Sequence, residues 1–252
     1  AVAQSEHWIV LPIIFIIVTL SFVLLGRPLG RLLAALPPLE AYAIDIVGSM
    51  AGVAAFFVMS YLSFSPMIWV LILILAFLPL YSKQDKLRTA PFFVGVFVIA
   101  FLLGRDGLWS PYYHIQVYPS QEEAGYIISV NNIGHQEVVP FLTKETFYFR
   151  AYDLLGNPPF RNVLVLGAGT GSDVAIALAN GAEHVDAVEI DPVIYQLGQE
   201  LHPDNPYDDP RVDVYVDDGR AFLRNNDSEY DLVVFALPDS LTLTSGFANL
   251  RL

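Results

Sequence analysis

The sequence predicts two parts: a multi-pass α-helical membrane region, then a small β-meander leading into a doubly wound α/β domain with a parallel sheet. Three observations predict it. The 252-residue chain is 54% hydrophobic and only 15% charged. Its charge is divided unevenly: residues 1–104 hold five Lys/Arg and four Asp/Glu (net +1), whereas residues 105–252 hold eight and 22 (net −14), which sum to −13. A near-neutral apolar half joined to an acidic half is the pattern of a membrane anchor carrying a solvated domain. From Arg161 onward, apolar strands alternate with a glycine loop and helical stretches, the pattern of a parallel sheet. The expected boundaries are 1–104 for the membrane helices, 105–142 for the β-meander and 143–252 for the α/β domain.

Four membrane segments are expected. Trp8 to Leu25 is nearly unbroken in its apolarity and long enough for a hydrocarbon core of about 30 Å. No basic stretch precedes it and no small-residue cleavage site follows, so a signal peptide is the weaker reading. Tyr42 to Phe64 is the second span. Its Gly48, Ser49, Ala51, Gly52, Ala54 and Ala55 permit close helix approach in a bilayer. Met67 to Tyr81 and Pro91 to Gly104 are shorter, marginal as perpendicular spans, and flank a basic stretch expected as a loop, SKQDKLRTA. Asp45 lies inside the second span. An intramembrane acid raises the possibility of transport, but an acid without a basic partner is better read as a helix-end or interfacial residue. Arg27, Arg31, Lys83, Lys86 and Arg88 place both basic connections in the cytoplasm. Four crossings then put the acidic domain outside; a segment that fails to cross would reverse this.

The acidic half disfavours a nucleic-acid partner, since phosphates are repelled. With no cysteine, disulfides, thiolate metal sites and a Cys nucleophile are excluded. His114, His135, His184 and His202 show no metal-ligand spacing, so no metal is expected. Asp204, Asp208 and Asp209 lie in a Pro-rich loop without the spaced ligands of a calcium loop.

Residues 112–142 alternate as strands around the polar turn Asn131-Asn132-Ile133-Gly134. A helix is expected from Lys144 to Leu155. Phe147, Tyr148 and Phe149 are expected to pack between the β-meander and the sheet. The next strand, 163–166, runs into Gly167-Ala168-Gly169-Thr170-Gly171-Ser172, a helix to Asn180 and a second strand at 185–190. Glycines allow a tight turn and close backbone approach to a ligand, while the following helix N-terminus offers free N–H groups. Glu189, at the end of the second strand, is placed to accept hydrogen bonds from ribose hydroxyls. A third strand at 212–216 leads to Asp217-Asp218-Gly219, and a fourth spans 230–237. Ser172 stands where a dinucleotide fingerprint has its third glycine, which disfavours NAD. Gly167, Gly169, Gly171, Glu189 and Asp218 together predict a nucleoside site on a Rossmann-like sheet of the S-adenosylmethionine methyltransferase type.

From Val163 to Asp239 the chain resembles the polyamine aminopropyltransferases, the spermidine synthase family. The resemblance rests on the glycine loop, VEIDP, DDGRAF and YDLVVFALPDS; SPYYHIQVY and GYIISVNNIGHQ look like the family's small N-terminal β-domain. The membrane half, with AYAIDIVGSMAG, is similar to bacterial membrane-bound relatives, which implies a multi-pass protein of the cytoplasmic membrane. The resemblance implies decarboxylated S-adenosylmethionine, or S-adenosylmethionine itself, as the nucleoside, with Glu189 on the ribose, Asp218 on the adenine amine and a small amine as acceptor. The chain departs from the family at two acids. Thr170 replaces the Asp that grips the aminopropyl amine, and Ala236 replaces the catalytic Asp, leaving Asp239 as the surviving candidate. Asp173 is expected to substitute only if the glycine loop rearranges. Losing a positioned base lowers a rate by roughly a hundred- to ten-thousandfold.

The resulting expectation is a membrane-anchored spermidine-synthase-like protein with aminopropyl transfer lost or altered. The alternatives are a non-catalytic accessory subunit of a membrane complex and a transporter using Asp45. The sheet is expected to be incomplete at the C-terminal end of this sequence.

Overall fold

The computed structural model describes residues 7–120, 125–156 and 160–236. Two compact units divide after Asp106.

The first unit is helical. Helix α1 spans His7–Ala34 and α2 spans Pro38–Tyr61, started by Pro38 at its first position, where a missing N–H costs nothing. Helix α3 covers only Pro66–Phe77 and continues as a single 3-10 turn to Leu80. Helix α4 spans Lys83–Gly104. The basic stretch expected as a loop is therefore the first part of α4. The Ser82 hydroxyl accepts the Asp85 N–H at 3.2 Å and donates to its carboxylate at 2.8 Å, and this capping starts the helix eight residues before Pro91. Among the described residues, three helices are long and apolar enough to cross a membrane: α1, α2 and α4. At about 1.5 Å per residue, α3 reaches roughly 18 Å, well short of the core thickness.

The second unit opens with an antiparallel sheet in the order β1-β2-β3-β4, formed by Leu108–Trp109, His114–Pro119, Tyr126–Val130 and Ile133–Val138. Asn131 and Asn132 both adopt left-handed backbone (φ 51° and 66°), which makes the tight β3–β4 hairpin the sequence predicts. Between Lys144 and Leu155 the expected single helix is broken. A 3-10 turn at Thr146–Phe149 precedes a short α5, Arg150–Leu154, and turns Tyr148 and Tyr152 toward one cavity.

The parallel sheet contains β5 (Asn162–Leu166), β6 (His184–Glu189), β7 (Val212–Val216) and β8 (Leu232–Phe235), in the order β7-β6-β5-β8. Helices α6 (Ser172–Ala179), α7 (Pro192–Leu201) and α8 (Gly219–Asn225) connect them. Chain order reverses beside β5, between β6 and β8, and in such sheets ligands bind outside the strand carboxyl ends at this reversal. Val163, Val165, Val174, Val185 and Ala187 form the dry centre. Ile115, Ile128 and Val138 of the meander pack with Ile194 and Leu197 of α7, so the meander is held to the α/β part through this helix.

Candidate functional site

The glycine loop is built from backbone. Gly167, Gly169 and Gly171 have φ of 79°, 60° and 100°, a region that only glycine enters freely. The N–H groups of Gly167 and Ala168 both donate to the Val188 carbonyl, at 2.8 and 2.9 Å. This folds the loop back over β6. A Cβ on Gly169 would stand 2.6 Å from Gln136 Oε1, and one on Gly171 would stand 2.6 Å from Pro206. The loop is thus closed in by β4 on one side and the 206–208 turn on the other.

Glu189 ends β6 and is 6% exposed. Its Oε2 accepts the Gly169 N–H at 2.8 Å and its Oε1 accepts the Asp191 N–H at 2.9 Å. Burial raises its carboxyl pKa, opposed by these backbone hydrogen bonds. The sequence expectation gave Glu189 to a ribose; in the structure the carboxylate first braces the loop, with one further lone pair on each oxygen. Asp191 caps α7 through the N–H groups of Val193 and Ile194 at 2.9 and 3.2 Å. It also accepts a short hydrogen bond from the Ser110 hydroxyl of the meander.

The Asp217 N–H donates to the Glu189 carbonyl at 3.1 Å, which sets Asp218 beside the end of β6. Asp218 caps α8 through the N–H groups of Arg220 and Ala221 at 2.9 and 3.3 Å and pairs with the Arg220 guanidinium at 3.1 Å. These hydrogen bonds, the Arg220 side chain first, hold its carboxyl below its ordinary pKa. The structure therefore brings Gly167, Gly169, Glu189 and Asp218 to one end of the sheet.

The Ala236 N–H donates to the Leu166 carbonyl at 3.0 Å, so the position lacking the expected acid sits beside Gly167. Thr170 is fully buried, and its N–H and hydroxyl both reach Gln136 Oε1, at 3.3 and 3.2 Å. Asp239 lies outside the described residues.

Asp173 lines the same cavity as Ala236, about 170 Å³ in volume, with Phe147, Tyr148 and Tyr152 among the other walls. Burial pushes its carboxyl up to about 6, against a smaller opposing effect of the Lys144 charge. Burial likewise pushes the hydroxyls of Tyr148 and Tyr152 up to about 12. Of the three aromatics read from sequence as packing, Phe147 and Tyr148 line this cavity. Gly198 was also not visible in the sequence: a Cβ there would lie 2.7 Å from the Thr170 carbonyl and from the Tyr207 ring. Helix α7 thus rests directly on the loop. Near the opposite end of β6 and β7, His184, Asp186 and Asp213 bring ligand-type atoms within 4.8 Å of one another, a grouping across two strands that spacing along the chain does not disclose.

Comparison with known proteins matches residues 152–249 to the spermine/spermidine synthase domain. The polyamine aminopropyltransferase of Alkaliphilus oremlandii is 40% identical over 81 residues, covering 31% of this chain and 28% of that protein. The one from Clostridium perfringens strain SM101 is also 40% identical over 81 residues, covering 31% and 29%. The matched region therefore spans less than a third of the length of these relatives. The crystal structure of spermidine synthase from Thermotoga maritima aligns with a TM-score of 0.42 at 17% identity, covering 52% of this chain and 45% of that one. Residues 152–249 of this chain are thus similar to the spermine/spermidine synthase domain.

Proposed function

We propose that this is a membrane-anchored, spermidine-synthase-like protein whose α/β unit binds an S-adenosylmethionine-type nucleoside, with decarboxylated S-adenosylmethionine or S-adenosylmethionine as the ligand. Aminopropyl transfer to a polyamine is altered or lost in it. The observation that carries this reading is the convergence of the glycine loop, Glu189 and Asp218 at the carboxyl ends of β5, β6 and β7. Asp218 would take the adenine amine, and Glu189 the ribose through its remaining lone pairs. Ala236 supplies no acid at the strand end, which is why efficient transfer is not expected. A direct assay follows released methylthioadenosine and aminopropylated 1,4-diaminobutane by mass spectrometry. The reading expects slow or undetectable transfer; a rate typical of a dedicated synthase would refute the altered chemistry.

Anchoring is proposed from the three long apolar helices. If α1, α2 and α4 cross while the shorter α3 does not, the chain crosses three times. The α/β unit then lies on the same side as the α1–α2 connection with Arg27 and Arg31, opposite Lys83, Lys86 and Arg88 at the start of α4; the positive-inside rule draws both groups inward, and it is the cytosolic supply of nucleoside that argues for the cytoplasmic side. That placement gives the site access to cytosolic nucleoside.

One observation favours a second reading, a non-catalytic accessory subunit of a membrane complex: both Glu189 oxygens already serve the fold. Nucleoside binding separates the two. Asp45 lies in α2 with no ion pair among the described residues, and a transport role gains no further support from it.

A further inference from the structure

Two carboxylates stand side by side on the parallel sheet. Asp186 of β6 and Asp213 of β7 are register partners, so their side chains leave the same face of strands about 4.8 Å apart. Asp186 is 3% exposed, whereas the Asp213 side chain is 66% exposed. Val185 and Ala187, its neighbours on β6, face the dry centre. Val188, on the Asp186 face, packs with Phe222 of α8. The apolar pattern of β6 therefore gives no reason for an acid at this place. A buried carboxylate is costly unless it is paired or binds a cation, and a like charge directly opposite adds repulsion. Among the described residues, the ion-pair partner of both acids is His184 alone, two residues before Asp186 and on the same face of the strand. Protonated His184 leaves the two acids one positive charge short, whereas a divalent ion on neutral His184 balances them.

The geometry agrees. His184 Nε2 stands 3.1 Å from Asp186 Oδ1 and 3.9 Å from Asp213 Oδ2, and the three ligand-type atoms lie within 4.8 Å of one another. A zinc-type ion binds imidazole nitrogen and carboxylate oxygen at about 2.0–2.2 Å, which sets neighbouring ligand atoms roughly 3.0–3.6 Å apart. The His184–Asp186 pair already has that spacing, and the exposed Asp213 closes the rest by a small side-chain rotation. Asp186 is also oriented from behind, as metal-binding carboxylates are. The Tyr230 hydroxyl makes a short hydrogen bond to its Oδ2, leaving Oδ1 to His184. The Asn226 amide in turn donates to the Tyr230 oxygen at 2.8 Å.

We propose that His184, Asp186 and Asp213 form a binding site for a divalent transition-metal ion of the zinc type, with water completing its coordination. The imidazole selects against magnesium and calcium, which take oxygen ligands. The bound ion ties β7, the last strand in the order β7-β6-β5-β8, to its neighbour β6. It does so away from the glycine loop, so this site and the nucleoside reading stand or fall separately.

The test is titration of the full chain, in nanodiscs and without a histidine tag, with Zn²⁺ in competition with a fluorescent chelator. The expected result is one equivalent bound at roughly micromolar affinity or tighter, with Mg²⁺ about a hundredfold weaker. His184→Gln and Asp213→Asn, both at partly exposed side chains, should each weaken Zn²⁺ by at least about tenfold. Hydrogen exchange separates this site from scattered surface acids. Zn²⁺ should slow exchange at residues 184–186 and 212–214 in the native chain and leave it unchanged in Asp213→Asn. Failure of the native chain to bind Zn²⁺, or native affinity and native exchange protection in both variants, would overturn the proposal.

Discussion

Glu189 Oε2 accepts the Gly169 N–H at 2.8 Å, and through this bond the last residue of β6 sets the shape of the glycine loop. The other oxygen holds Asp191 at the start of α7, so one buried carboxylate joins strand, loop and helix. Glu189→Gln keeps one acceptor but turns an amide N–H2 toward a backbone N–H. The expected cost is about 1–3 kcal/mol. Hydrogen exchange should show it as faster opening of residues 167–171 and 191–194, and unchanged protection would argue against the brace.

Gly198→Ala should destabilise the α/β unit by about 3 kcal/mol. The new methyl meets the Thr170 backbone and the Tyr207 ring at 2.7 Å, and overpacking against backbone has little means of relaxing. Gly181→Ala is the useful contrast. Its added Cβ meets nothing within 4 Å, but its φ is +90°, so its cost should come from backbone strain, at about 1 kcal/mol. Denaturant unfolding of the two variants compares crowding with strain.

Asp173 and His202 have opposite effects on acid stability. The folded carboxyl of Asp173, at about 6, lies above its ordinary value of 3.8, so the native state binds the proton more tightly. Its contribution therefore favours folding at low pH and is lost as pH rises from about 4 to about 6. Asp173→Asn should stabilise the chain by about 1–2 kcal/mol at pH 7.5, discounted for the open side of the cavity, and by almost nothing at pH 4. Burial lowers His202 from 6.5 to about 4. Its neutral form is the folded one, and that contribution is lost as pH falls from about 6.5 through 4. Equilibrium unfolding of Asp173→Asn and native chain across pH 4–8 checks the first sign, and His202→Gln, with its weaker acid dependence, checks the second.

Sidedness is testable because the chain has no cysteine. A single cysteine replacing Ser228, in the exposed segment before β8, should be protected in intact cells from an impermeant maleimide. One replacing Ser63, between α2 and α3, should be labelled. The reverse pattern would place the α/β unit outside.

The segment from β5 to β6 was legible because its signals are local. Three glycines need positive φ, the apolar runs match the buried strands, and Asp191-Pro192 opens α7 as a capped helix should. The Asn131-Asn132 turn was legible for the same reason. What was missed depends on contacts distant in sequence. Ser82 starts α4 inside a stretch whose charges suggested a loop. Between Lys144 and Leu155 a 3-10 turn replaces the start of the expected helix, with no glycine or proline in the segment to announce it. Nothing along the chain places Asp173 opposite Ala236, or turns Glu189 inward onto Gly169, because each pairing exists only once β4, β8 and α7 have packed around the loop.

The most direct test of the nucleoside site is calorimetric titration of the full chain with S-adenosylmethionine, its decarboxylated form and methylthioadenosine, repeated with Asp218→Asn. This substitution keeps an oxygen to cap α8 while removing the charge proposed to meet the adenine amine. The account predicts micromolar binding of at least one of the three, weakened about tenfold by the substitution. No binding of any of them to a folded chain would contradict it and leave the α/β unit a scaffold.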